Sequence, residues 1–199
     1  MDHFYKKIPG YFNYENVYRD FLKTCPENAQ AVEIGVWQGK SVCFAAVESI
    51  KQEKKITLYA VDTFEGSPNE PIIQRDLQKL KENETTPKEE FLKNIEPVKD
   101  IVKMLHMDSI SASQQFADNS LDFVFIDGSH LYEAVLADIN AWLPKVKTGG
   151  IIAGHDIDGP EDFNGVRKAV EEIFGQDFDV VNKGWASWIH KVGYTKSSS

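Results

Sequence analysis

The chain is short of cysteine, of long apolar runs and of positive charge, and each shortage removes a class of protein. Among its 199 residues only Cys25 and Cys43 are cysteine, too few for a disulfide framework and too isolated for a zinc knuckle. Neither has a histidine nearby in sequence, so both read as small buried hydrophobes rather than as a catalytic thiol. No stretch approaches the roughly 18 uninterrupted apolar residues of a membrane-spanning helix, and Met1 to Phe12 lack the apolar centre of a signal peptide. A cytoplasmic location is the expectation. Lys and Arg number 22 against 31 Asp and Glu, and the resulting net charge of −9 suits a phosphate backbone badly. General nucleic-acid binding is disfavoured, with a local basic patch left open. No internal repeat is visible, and 42% hydrophobic with 12% aromatic residues is ordinary globular usage, not that of a disordered chain. Length points to a single domain over 1–199, enough to bury roughly 70% of the unfolded chain's surface.

What the sequence does have is alternation. Short apolar runs take turns with helical patterns, the signature of a mostly parallel α/β sheet with helices on both faces. Ala29 to Ile34 reads as the first strand, and from about Gly39 the residues Val42, Ala45, Ala46 and Ile50 share one face of a crossover helix. Further strands are expected at Ile56 to Val61, ending at Asp62, and at Ile101 to Leu105, ending near Asp108. Two more run from Leu121 to Ile126, ending at Asp127, and from Gly149 to Gly154, ending at His155 and Asp156. Helical stripes pass through Leu131, Val135, Ile139, Trp142 and Leu143, stopped by Pro144, and through Val166, Ala169, Val170, Ile173 and Phe174. Phe178 to Val181 and Trp185 to His190, parted by Asn182, Lys183 and Gly184, predict an antiparallel hairpin. Residues 1–28 form a helical leader. The connection 63–100 is too long for an ordinary loop, and Arg75 to Asp100 is half charged, yet Leu77, Leu80, Phe91, Leu92 and Ile95 keep apolar spacing. That pattern predicts helices capping the active site. The polar tail Thr195 to Ser199 is expected to fray.

The segment Val32-Glu-Ile-Gly-Val-Trp-Gln-Gly-Lys-Ser41 falls where the first strand turns into its helix, the place where open α/β sheets bind ligands. Gly35 and Gly39 allow close backbone approach, and the helix start offers unpaired N–H groups. A nucleotide-like ligand belongs here. Gly-x-x-x-Gly departs from the dinucleotide fingerprint and from the Walker frame, so a pyrophosphate cradle is a poor match. Asp62 can accept both hydroxyls of a ribose, and Asp108 can accept the exocyclic amine of an adenine. The plain alternative for each is a helix N-cap or loop carboxylate.

Glu33 to Gly39, Asp62, Met107-Asp108-Ser109, and the stretch from Phe123 through Asp127-Gly-Ser-His130 to Gly149-Gly-Ile-Ile-Ala-Gly-His155-Asp156 together resemble a class I S-adenosylmethionine-dependent methyltransferase. The resemblance covers about Ala29 to Lys191 and implies a Rossmann-like seven-stranded sheet with an antiparallel C-terminal hairpin. Asp62-Thr-Phe-Glu-Gly66, Asp127-x-x-His130 and His155-Asp156 are similar to small-molecule O-methyltransferases that act on macrolide sugars. It implies that Gly35 and Gly39 pass the methionine part of S-adenosyl-L-methionine, with Glu33 bracing the turn or the amino group and Ser41 also on the cofactor side. Asp62 would hold the ribose with Thr63 and Phe64 beside it, and Asp108 and Ser109 would flank the adenine. A sulfonium carries positive charge and no phosphate, which suits an acidic site.

On the acceptor side the resemblance implies a divalent cation at Asp127, His155 and Asp156. Two carboxylates suit Mg²⁺, and an imidazole in the third place shifts preference toward Mn²⁺, Fe²⁺ or Zn²⁺. His130 matches the position of the general base and, with Asp127, forms the catalytic pair. Left open are a surface role for His130, direct binding of substrate hydroxyls by Asp127 and Asp156, and a His155 turned into the fold. Trp37, Tyr11, Phe12 and Tyr14 either cover the pocket or pack in the core. The expected partner is a small-molecule acceptor, with no nucleic acid and no membrane, and a homo-oligomer is left open. The competing functions are an NAD-dependent oxidoreductase, opposed by the glycine spacing, and a cofactor-binding partner subunit without chemistry, opposed by the dense polar set at the strand ends.

Overall fold

A computed structural model describes residues 1–67, 70–159, 165–182 and 184–194. The expected tail and Lys183 of the hairpin turn lie outside these residues. Seven strands form one sheet in the order β3-β2-β1-β4-β5-β7-β6. They are β1 Ala29–Ile34, β2 Ile56–Asp62, β3 Val102–His106, β4 Leu121–Ile126, β5 Val146–Gly154, β6 Asp179–Val181 and β7 Ser187–Lys191. The first five pair in parallel, and β7 runs antiparallel between β5 and β6. This is the Rossmann-like seven-stranded sheet with an antiparallel C-terminal pair that the resemblance implied.

The helices are α1 Glu15–Thr24, α2 Lys40–Lys51, α3 Pro71–Glu82, α4 Pro87–Ile95, α5 Ser109–Ser113, α6 Tyr132–Trp142 and α7 Gly165–Phe174. Strand alternation sorts them onto two faces. Ala31, Leu58, Phe123 and Phe125 point to one side, where they meet Phe21 and Leu22 of α1, Phe44 of α2 and Phe91 of α4. Val32, Ile34, Val124 and Ile126 point to the other, where they meet Ile139 and Trp142 of α6 and Ala169 and Val170 of α7. Cys25 and Cys43 are buried and free, and burial pushes the Cys43 thiol up to about 12, so it serves as a hydrophobe. Among the described residues, no helix is long and apolar enough to cross a membrane.

The connection 63–100 folds into α3 and α4, joined through a capping box in which Thr86 and Glu89 satisfy each other's backbone N–H groups. Phe91 is fully buried against α2, so α4 packs into the core. The aromatic leader divides: Tyr11 is exposed, while Tyr14 stacks on Phe125 at 4.5 Å between ring centres.

Strand order turns at β1. The chain passes from β1 to β2 on one side and later to β4 on the other, so the loops leaving β1 and β4 diverge and a crevice opens at their carboxyl ends.

Candidate active site

Three non-glycine residues at these strand ends have left-handed backbones: Trp37 after β1, Phe64 after β2 and Asp156 after β5. Such conformations cost of order 1–3 kcal/mol each and persist where surrounding contacts enforce them. Asp62 supplies much of that enforcement. Its Oδ2 accepts the N–H groups of Val36 and Trp37 at 2.9 and 2.8 Å, and its Oδ1 accepts that of Phe64 at 2.6 Å. Burial raises its pKa, and these three donors act against the rise. Asp62 therefore ties the β1 and β2 loops together, a bracing role beyond the ribose contact expected of it.

A cavity of about 320 Å³ opens beside this brace. Gly35, Asp62, Thr63, Asp108 and Ser109, all expected on the cofactor side, line it, together with Met107, Ile110, Ser129 and α6 residues including Asp138. Glu33, Gly39, Ser41 and Phe64 do not line it. Glu33 is fully buried beneath the loop, where the hydroxyls of Tyr18 and Ser41 donate to its two oxygens. Burial pushes its carboxyl up to about 8. Gly39, at φ +84°, faces Phe91, and Phe64 packs on Phe91 with ring centres 5.3 Å apart. These two seat α4 against the loop. Gly35, at φ +82°, lies so close to the Asp127 carbonyl that a Cβ there would overlap it.

Asp108 is exposed and caps α5, accepting the Ser111 N–H at 2.9 Å, which holds its pKa below the usual carboxylate range. This is the helix-cap alternative weighed for it, and it remains at the cavity edge. Ser109 accepts the indole N–H of Trp142 at 2.8 Å.

The acids after β4 and β5 meet two histidines. His130 Nε2 is 2.6 Å from Asp156 Oδ2, and its Nδ1 is 3.2 Å from Glu70 Oε1, a residue of the 63–100 connection. His155 Nδ1 lies 2.9 Å from Asp156 Oδ1 and 3.6 Å from Asp127 Oδ1, while its Nε2 is 2.8 Å from Asn13 Oδ1. Tyr14 donates its hydroxyl to Asp127 Oδ2 at 2.7 Å. Burial raises the pKa of Asp127. Against the cost of burial, bonds to the two histidines hold Asp156 at about 2, and Asp156 and Glu70 hold His130 up at about 10. One candidate ligand set, Asp127, His130 and Asp156, has donor atoms within 4.8 Å of one another. It includes His130, expected as the base, where the sequence pointed to His155. A niche of about 10 Å³, room for about one water-sized species, is lined by all four of these side chains. It shares Gly128 and Ser129 with the larger cavity, so the two sites are neighbours.

Sequence reading missed Tyr18, Glu70, Asn13 and Asp138, and placed Tyr14 over the pocket or in the core without foreseeing its bond to Asp127. A signal existed for some of them. Tyr18 lies on the buried face of α1 with Val17, Phe21 and Leu22, and Asp138 sits on the buried side of α6 beside Ile139. Glu70 and Asn13 carried none, since each reaches its partner only through tertiary folding.

A seven-stranded sheet in this order, with a glycine turn after β1, an acid closing β2 and a nucleoside-sized cavity at the switch point, defines a Rossmann-like methyltransferase fold. The family model described as "Methyltransferase domain" matches residues 32–157. The chain belongs to that family and is an S-adenosylmethionine-dependent methyltransferase. Similar solved structures include the O-methyltransferase NovP, with TM-score 0.65 and 17% identity over 90% of this chain and 79% of that one. CalS11, a TDP-rhamnose 3'-O-methyltransferase of calicheamicin biosynthesis, matches with TM-score 0.61 and 19% identity, over 91% of this chain and 78% of that one. The cofactor-bound Rv0187 from MTB gives 0.63 and 15%, over 92% and 81%. At these identities the likeness is one of fold. No curated protein matches the chain.

Proposed function

We propose that this methyltransferase acts on a hydroxyl of a small molecule, a glycosyl group among the candidates, with His130 taking the hydroxyl proton. The observation that carries the reading is the convergence of Asp127, His130 and Asp156 beside the nucleoside-sized cavity. NovP and CalS11, both O-methyltransferases of similar fold, lend it support.

A half-buried and a buried carboxylate, Asp127 and Asp156, with imidazole nitrogens close by are a donor set suited to a divalent cation, Mg²⁺ or, with imidazole, Mn²⁺ or Fe²⁺. The chemistry such a cation supplies is Lewis acidity that lowers the pKa of a bound hydroxyl. Asp127, Asp156 and His155 are assigned to hold it. His155 is the more buried histidine and is anchored by Asn13. His130 is 19% exposed against 9% for His155 and has a second carboxylate partner, Glu70. Asp156 and Glu70 both face the His130 ring, and a cation that drew on Asp156 would leave Glu70 as the ring's remaining carboxylate partner. Glu70 then orients it. S-adenosyl-L-methionine supplies an electrophilic methyl group, and the fit of its nucleoside part rests on Gly35, Asp62 and Thr63 lining the cavity.

Methyl transfer to a panel of polyols and glycosides, with and without chelator, tests the reading. Activity should require added cation and fall about 10²- to 10⁴-fold in His130→Ala, with cation affinity retained. Activity that survives both chelation and the substitution overturns it.

A further inference from the structure

We propose that Asp138, on α6, is the residue that recognises the exocyclic amine of the cofactor's adenine, in the place first expected of Asp108. Asp108 is poorly suited to the task because its carboxylate caps α5 and is exposed to water, which competes for every hydrogen bond it makes. Asp138 lines the same cavity and is only 7% exposed.

The surroundings of Asp138 fit one edge of a purine. Met107 and Ile110 bound the cavity from the β3 side, and Ala134 and Ala137 bound it from α6. Apolar walls of this kind suit the faces of a flat base, while a carboxylate at the edge accepts from an amine. The Ser109 hydroxyl bonds to Asp138 and accepts from the Trp142 indole, so its one proton is directed at the carboxylate and the acid is held in place. One hydroxyl takes a fraction of the roughly four acceptor positions of a carboxylate. A charged side chain placed in the apolar flank of α6 is costly, and a packing role alone would be met by Asn or Ser. A ligand donor accounts for the charge.

The inference rests on the cavity holding the nucleoside part of the cofactor, and the test separates the two. Binding of S-adenosylhomocysteine and of its hypoxanthine counterpart, in which an oxo group replaces the amine, is measured by calorimetry on the full chain without acceptor. Wild type should favour the adenine ligand by about 10- to 100-fold, the range for a hydrogen bond to a charged group. Asp138→Asn should lose about that factor for the adenine ligand and much less for the hypoxanthine ligand. Equal losses for both, no loss, or selectivity that follows Asp108→Asn instead would overturn the inference. If Asp138→Asn does not fold, equal wild-type affinities for the two ligands still overturn it. Failure of wild type to bind either ligand would instead remove the reading of the cavity.

Discussion

Replacing Glu33 by Gln should stabilise the fold at alkaline pH and flatten part of its pH dependence. The carboxyl lies fully buried beneath the glycine loop, and its pKa rises from 4.5 to about 8, mainly through burial, with the Ser41 and Tyr18 hydroxyls acting the other way. An acid with a raised pKa keeps its proton in the folded chain over a range where the unfolded chain has released it. Stability therefore falls as pH rises from about 4.5 to about 8 and levels off above. At about 1.4 kcal/mol per pH unit, the whole excursion is on the order of 5 kcal/mol. Gln has nearly the same shape and no charge to desolvate, and the Tyr18 and Ser41 hydroxyls can rotate to accept from its amide. Urea unfolding of variant and wild type across about pH 5 to about pH 9 checks this, because their difference removes titrations common to both. The variant should gain several kcal/mol relative to wild type as pH rises through that window. A difference that stays flat would refute the buried neutral acid.

Two further outcomes follow from the same geometry. Gly35→Ala places a Cβ against the Asp127 carbonyl on a backbone at φ +82°, and neither strand can yield without parting β1 from β4. It should cost about 3 kcal/mol or more, lowering Tm by about 6 to 12 °C, and a variant that melts with wild type would show that this contact is slack. Burial lifts Asp138 to about 6, so affinity for S-adenosylhomocysteine should weaken as pH drops below about 6, where the acceptor is protonated. Calorimetry at stepped pH reads this, and an affinity flat through that range contradicts it.

The strand ends were legible because their signals are local. A run such as Phe123 to Ile126 is apolar on both faces, as a central parallel strand must be, and stops at a carboxylate. Element boundaries were less so: β5 begins at Val146 rather than Gly149, because Val146 pairs with Leu121 across a register shift that no periodicity announces. Asp108 looked like its neighbours Asp62 and Asp127 in sequence, yet the chain turns straight into α5 and takes its carboxylate as a cap.

Sequence alone determined the alternation of strands and helices, the glycine turn, and the placing of Glu33, Asp62, Asp127 and Asp156 at strand ends, since each follows from side-chain period and turn chemistry over a few residues. It also set the scarcity of cysteine and of positive charge that narrowed the class. Only the tertiary structure decided what each acid does. Tyr14 reaches Asp127 across 113 residues, Glu70 comes to His130 from the connection after β2, and Asp138 lines the cavity from α6. A carboxylate becomes a brace, a neutral buried acid, a cap or an acceptor according to the donors and the depth of burial around it. Those are properties of the packed chain.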